Sequence, residues 1–590
     1  MNRWRTSFLA FGLSLATAGL PAGAFAADPP EQQLRALYEA DWAERMQESG
    51  MIPDGNGDFV ASDRLPRVDP ATYERRAARA RDMLAKLDRI PLDQLSNEDQ
   101  VNAAVYRTIL EHTLIEARFR EWEMPFNSDS SFWIYLSARA PFRTAEDYRH
   151  YIGRMRDIPR YFDEQIANMR AGLKRGFSVP RVTLNGRDQT IANYAVSDVE
   201  ANPFYAAFKD MPATIPAEEQ AQLRAAAQAA IRDAVVPAYT RLLTFFRNEY
   251  LPKTRTTLAA TAMPDGKAYY AAQIRKFTTL DLTPEEAHAL GLKEVARIKA
   301  EMHQVMRDSG FTGTLEEFLH FLRTDPQFYA KTPEQLLHYS AWVAKRADAT
   351  LADTIGTLPR KPFTIVPVPD ALAAFYTSGR GGLGACMMNT HNLPSRPLFH
   401  IPALTLHECA PGHSFQAALA KEQPERPAFR RTTYFSGYGE GWGLYTEWLG
   451  KEMGIYRTPY EHFGRLSYEM WRAARLVLDT GIHYYGWSRE KAIDYLTNHT
   501  ALSAHEVETE IDRYISYPGQ ALAFKPGELT IHRLRAEAEQ QLGRNFDKRR
   551  FHDAFLALGS VPLPVLEQQM RRFIESEKAR LAQQAAAAHP

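Results

Sequence analysis

The sequence predicts a mainly α fold with a few short strands beside a candidate site. Helix-start chemistry recurs along the chain, long amphipathic runs join those starts, and strand signals are few. Thr283-Pro284-Glu285-Glu286 reads as a capping box with Pro at the first helical position. Thr314-Leu315-Glu316-Glu317, Thr332-Pro333-Glu334-Gln335 and Ser503-Ala504-His505-Glu506 repeat that pattern. Tyr73 to Leu87, Glu218 to Tyr250 and Ala287 to Arg307 place apolar residues at helical spacing.

From the N-terminus, Arg3 and Arg5 precede an apolar run from Phe8 to Leu20, and Ala24-Phe25-Ala26 fits a small-x-small cleavage rule. Residues 1–26 are therefore expected to be a signal peptide, cleaved after Ala26. A membrane anchor is the competing reading, but the run is short of the roughly 20 residues a span needs. Asp54-Gly55-Asn56-Gly57-Asp58 begins like a calcium loop, then puts Phe59 where the turn needs Gly and Leu65 where a Glu belongs. It reads as a polar turn. Phe177 to Val179 and Arg181 to Leu184, broken by Pro180 and ended by Asn185-Gly186, suggest a hairpin arm. A seam near Leu251 to Gly266 divides the chain into an N-terminal helical region, 27–255, and a metal-binding catalytic region, 256–590. Lys361 to Val368 and Cys386 to Thr390 are further strand candidates. The glycine-rich segment Gly379 to Gly384 lacks the Gly-Lys-Ser/Thr ending of a phosphate loop and reads as a flexible approach to a sheet edge.

Composition excludes several functions. Lys plus Arg and Asp plus Glu are equal at 71 each, so there is no overall basic field to hold nucleic acid. No later stretch is apolar enough for stable membrane insertion. Two cysteines, Cys386 and Cys409, cannot make a disulfide framework; one bridge between them or two free thiols both remain open. Oligomeric state is not readable.

The chemistry concentrates at His407-Glu408-Cys409-Ala410-Pro411-Gly412-His413, with Gly439-Glu440-Gly441-Trp442 downstream. Two imidazoles and a carboxylate, with a fourth position left to water, describe a hydrolytic zinc centre with one ion. The expected ligands are His407, His413 and Glu440. In a straight helix, positions i and i+6 fall roughly 120° from a common face. Pro411-Gly412 therefore predicts a bulged or unwound turn that returns His413 to His407. Cys409 sits two residues from His407, on the opposite side of a helix, and is disfavoured as a ligand. Glu440 and Glu447 lie roughly 10 Å apart along a helix, so both cannot bind one ion. Glu447 supports a ligand or is a buried carboxylate with another partner. Trp442 and Tyr445 read as core. Glu408, next to a ligand, is the expected general base.

These motifs resemble the bacterial family known as domain of unknown function 885, which looks like metallopeptidases of the thimet oligopeptidase type. The resemblance extends to Gly172 to Arg181, Tyr438 to Tyr445, Arg475 to His483 and Arg513 to Ala521, nearly the whole of 30–580. It implies a two-lobed helical fold around a channel with zinc at its floor. It supports His407, His413 and Glu440 as ligands and Glu408 as base. It also implies that the strand holding Met388-Asn389-Thr390 borders the cleft, where a peptide would pair with it, so Asn389 is a candidate substrate contact. Where the resemblance leads one to expect Ala, this chain has Cys409. Charge on the scissile carbonyl oxygen needs a donor. Tyr514 and His483 are candidates for that role, and Arg475 and Arg513 for substrate binding. The bland alternative is that Arg475 only pairs with Asp479, four residues on.

The expectation is an exported, periplasmic, zinc-dependent peptidase acting on short peptides. An amidase or esterase on a non-peptide substrate, and a zinc- or peptide-binding protein without turnover, are the alternatives.

Overall fold

The four predicted caps each open a helix. In the computed structural model, Thr283 and Thr314 complete reciprocal capping boxes with Glu286 and Glu317 and start Pro284–Asp308 and Leu315–Thr324. Thr332 and Ser503 accept from the Gln335 and Glu506 backbone N–H groups and start Pro333–Thr354 and Ala504–Ser516. Each such cap stabilises its helix by about 1 kcal/mol. Residues 28–53, 59–128, 130–137, 142–374, 376–423 and 426–588 are described. The signal-peptide reading and the Asp54–Asp58 turn lie outside them.

The amphipathic runs are helical as well. Tyr73 to Leu87 lies within Pro70–Leu87, and 218–250 is one helical run with π turns at Ile231–Val235 and Phe246–Tyr250. Pro237 and Pro252 follow those turns closely, and a missing N–H is a natural place for the ladder to widen. The hairpin arm at 177–184 is not formed: Arg181–Leu184 is a 3-10 turn. Pro180 has no N–H to give a ladder, and its carbonyl instead accepts from the Thr183 hydroxyl.

Strands are few and short, so the fold is mainly α. β1 (Met51–Pro53) and β2 (Phe59–Ala61) form an antiparallel pair. β3 (Thr364–Pro367), β4 (Gly379–Gly382) and β5 (Ala385–Met388) form a sheet in the order β3-β5-β4, with β5 parallel to β3 and antiparallel to β4. The glycine-rich segment is therefore an edge strand, not only an approach to one. The strand leading to Asn389 is the central strand, with both edges taken, so no peptide can pair with it.

One hydrophobic cluster is confined to residues 68–250, while residues 34–110 pack together with 343–574 in another. Four helices near the sheet build the candidate site: Ile401–Glu408, His413–Glu422, Ser436–Glu452 and Pro459–His483, below called the His407, His413, Glu440 and Arg475 helices. The Arg475 helix is buried on nearly all sides. Its Leu466, Met470, Ala473 and Val477 pack in one cluster with Val295, Ile298 and Met302 of Pro284–Asp308. Among the described helices, none is long and apolar enough to cross a membrane.

Cys386 of β5 and Cys409, the residue after the His407 helix, form a disulfide with Cα atoms 5.3 Å apart. Both are fully buried. The bridge fixes the sheet to the end of the His407 helix. Alkylation of denatured, unreduced protein should therefore add no label; two labels would show free thiols. Replacing both cysteines by Ser should cost about 3 kcal/mol, read as a lowered melting temperature.

Asp479 does not pair with Arg475. It accepts from the Tyr270 hydroxyl at 2.7 Å and from the Gly519 N–H at 3.1 Å. Burial pushes its carboxyl up to about 7, against those two hydrogen bonds. A folded value above the unfolded one, about 3.9, favours the folded state at low pH. That contribution is full below pH 4 and is lost as pH rises through 7. The stability of Asp479→Asn relative to wild type should therefore rise by up to about 4 kcal/mol between pH 4 and pH 8. A pH-independent difference would show that Asp479 is ionised throughout.

Candidate metal centre

The His407 helix ends at Glu408, and the next helix begins at His413. Between them the chain unwinds through Cys409 to Gly412, with a cis peptide at Ala410-Pro411. Three contacts hold this turn. Cys409 is bridged to β5, the Cys409 carbonyl accepts from the Phe415 N–H at 3.0 Å, and the Pro411 carbonyl accepts from Trp442 Nε1 at 2.8 Å. Trp442 is fully buried and is core, as is Tyr445.

The unwound turn sets the two imidazoles close together, with ring centroids 4.8 Å apart and nearly perpendicular planes. Both Nε2 atoms converge on Glu440 Oε2, His407 at 3.4 Å and His413 at 3.3 Å. Ligand atoms held about 2.0–2.1 Å from a tetrahedral ion stand about 3.3–3.4 Å from one another. The donor types and the two spacings to Glu440 thus fit a zinc-sized ion, and all three donor atoms lie within 4.8 Å of one another. Among the described residues, this is the one group of three or more such donors near enough to share an ion.

Glu447 stands two turns beyond Glu440 on the same helix. Its Oε1 is 2.8 Å from His407 Nδ1. A carboxylate only accepts, so Nδ1 donates and Nε2 is left to face Glu440. Glu447 also pairs with Arg472 at 3.1 Å. Of the two readings left open, support of a histidine is the one its position matches. Burial pushes the His407 imidazole down, but Glu440 and Glu447 outweigh it and raise it to about 9. The field that favours a proton there favours a metal cation there too. Burial would raise the Glu440 carboxyl, yet His413 and His407 hold it well below the usual range.

Two glycines make the approach possible. A Cβ on Gly443 would come within 2.6 Å of the His407 ring. A Cβ on Gly439 would overlap the ring of Tyr434.

Glu408 lines a cavity of about 550 Å³ that also contains the ligand cluster. Glu408 Oε2 accepts from the Gly381 N–H of β4 at 2.6 Å, and the Gly382 N–H donates to Ser414 at 3.1 Å. β4 is therefore the strand that borders the cavity, in place of the one at Asn389.

The remaining candidates divide. Arg475 and Arg513 lie on the cavity wall; Asn389, His483 and Tyr514 do not. Asn389 is buried, and its amide donates to the carbonyls of Ala373 and Tyr376 and accepts from the His391 N–H, so it clamps its own loop. His483 is fully buried with both ring nitrogens used by backbone, Nδ1 accepting from Ala260 and Nε2 donating to Tyr514. Burial pushes its imidazole down to about 3, so the ring is neutral, and its one N–H is spent on the Tyr514 carbonyl. The Tyr514 oxygen accepts from Trp471 Nε1 at 2.7 Å and Arg475 Nε at 2.9 Å. It positions Arg475 from behind.

Tyr434 was not among the candidates. Its hydroxyl donates to Glu440 Oε1 at 3.0 Å, and the side chain lines the cavity, 53% exposed. It belongs to no sequence motif and precedes the Glu440 helix. The available signal was a hydroxyl-bearing aromatic six residues before a candidate ligand.

The fold recurs in solved structures. A protein from Colwellia psychrerythraea, provisionally described as a lipoprotein, is 27% identical with a TM-score of 0.85; the match covers 93% of this chain and all of that one. A Shewanella oneidensis protein, provisionally described as a lipoprotein of unknown function, is 17% identical with a TM-score of 0.63, covering 92% of this chain and all of that one, and shows the shared fold alone. No curated protein matches. The model of the family described as "Bacterial protein of unknown function (DUF885)" matches residues 49–570, and the chain belongs to that family.

Proposed function

We propose that the protein is a zinc-dependent hydrolase that cleaves short peptides. The observation that carries this reading is the convergence of His407, His413 and Glu440, with Glu408 one residue beyond a ligand in the same cavity. Zinc held there would lower the pKa of a water from about 15.7 toward about 7 and polarise the scissile carbonyl. Glu408 takes the proton of the attacking water while Gly381 fixes its other oxygen. As the C–N bond breaks, Glu408 returns that proton to the leaving amine, and the acyl fragment departs as a carboxylate. The Tyr434 hydroxyl, beside the ligand Glu440, donates to the carbonyl oxygen as charge develops on it. The edge strand β4 offers backbone next to Glu408 along which an extended substrate can lie.

Export supports a role for peptides outside the cytoplasm. It rests on the N-terminal signal pattern and on the Colwellia relative provisionally described as a lipoprotein.

Elemental analysis should find one zinc per chain, and chelation should abolish peptide hydrolysis until zinc is restored. Glu408→Gln should keep the zinc and lose hydrolysis by a factor of about 10²–10⁴. Unchanged turnover would remove Glu408 as the base. A peptide-library digest with no cut amide bonds would sink the peptidase reading. Tyr434→Phe should keep zinc and lower kcat by roughly 10²-fold with little change in KM. A raised KM at constant kcat would make Tyr434 a binding residue only.

A further inference from the structure

On the lining of the same cavity, three guanidinium groups stand close together on two helices. Arg472 and Arg475 belong to the Arg475 helix and Arg513 to Ala504–Ser516. The carboxylates facing them are Glu447, paired with Arg472 at 3.1 Å, and Glu510, paired with Arg475 at 2.9 Å and Arg513 at 3.5 Å. Behind them Glu506 faces Arg396 at 4.0 Å. A buried guanidinium N–H left without a partner is costly.

Arg475, on the cavity lining, carries such a group. Its side chain is 2% exposed. Nε donates to Tyr514 and Nη2 to Glu510, while Nη1 is buried without a partner. The guanidinium is held flat between Trp471 and Phe524, 4.3 and 4.2 Å from their ring centres. Arg472 Nε is also buried without a partner on the same wall. On the whole wall, Lys and Arg outnumber the carboxylates, which are Glu408 and Glu440 alone among the described residues. A planar, pre-positioned guanidinium with a spare edge is suited to a carboxylate.

We propose that Arg475, with Arg472 beside it, binds the free C-terminal carboxylate of the peptide substrate, so that the protein trims peptides from their C-terminal end. This rests on the peptidase reading above for the bond that is cut, but the carboxylate site itself does not. Trp471 and Phe524 flank the guanidinium and Tyr514 bonds to it, which fixes the plane it offers to a carboxylate. An acidic side chain shares that chemistry, and the probes below separate the two.

The test is calorimetric binding to zinc-loaded Glu408→Gln protein, full length, where turnover plays no part. The probes are N-acetyl-trialanine, its C-terminal carboxamide, and an amidated N-acetyl tripeptide with a central glutamate. The free acid should bind at least tenfold more tightly than either amide. Arg475→Met should weaken the free acid to the level of its amide and leave amide binding unchanged. Equal binding of acid and amide would overturn the proposal. So would an amidated glutamyl peptide that binds as tightly as the free acid, or discrimination that survives in Arg475→Met. The ligand comparison stands without that variant if it fails to fold. Absence of hydrolysis by wild type would sink the peptidase reading and leave this binding result intact.

Discussion

The imidazole of His407 donates from Nδ1 to Glu447 while its Nε2 points at Glu440, and both carboxylates come from one helix. Seven residues separate them, two helical turns, so they share a face about 10 Å apart along the axis. One ring spans that gap. The ring can do so only because the Glu440 helix approaches without a side chain at Gly443. Thr446 on the same helix donates to the Leu406 carbonyl at 3.0 Å, which fixes the two helices in register. The orientation of His407, and with it the place where three ligand atoms meet, follows from this helix pair.

His413 is the harder of the candidate ligands to deliver. It reaches the cluster because the chain leaves helical geometry for four residues, and the turn has no regular ladder of its own. Its stability is borrowed from neighbours: the Trp442 ring on the Pro411 carbonyl and the disulfide at Cys409. That disulfide runs to β5, whose partner β4 supplies the N–H that holds Glu408. The turn that carries His413, the sheet and Glu408 are thus one mechanical unit. The distances within the candidate site depend on contacts in each of them.

What could be read from the sequence was local. Ser or Thr three residues before Glu or Gln announced helices at 283, 314, 332 and 503, because a cap is complete within four residues. The clustering of His407, His413 and Glu440 was legible because spacing in a helix fixes direction, and Pro411-Gly412 showed where the regular spacing had to fail. Tertiary placement was not legible. Asn389, His483 and Tyr514 have the right chemistry for a substrate site, but their polar atoms are spent on Ala373, Ala260 and Arg475, contacts that no spacing encodes. Tyr434 was missed for the converse reason. It enters the site from an irregular segment, and only the gap above Gly439 makes room for it. A glycine-rich stretch such as 379–382 carries no strand propensity, and its pairing is imposed by β5 and by the side chains of Glu408 and Ser414.

The cavity lining carries both signs of charge. Glu408 and Glu440 gather negative charge around a position suited to a cation, and the guanidinium groups of Arg472, Arg475 and Arg513 line the same cavity. Glu447 belongs to both, accepting from His407 on one side and from Arg472 on the other. It is 1% exposed, so little water screens either interaction. A change in charge at His407 is therefore felt at Arg472 through a single shared carboxylate.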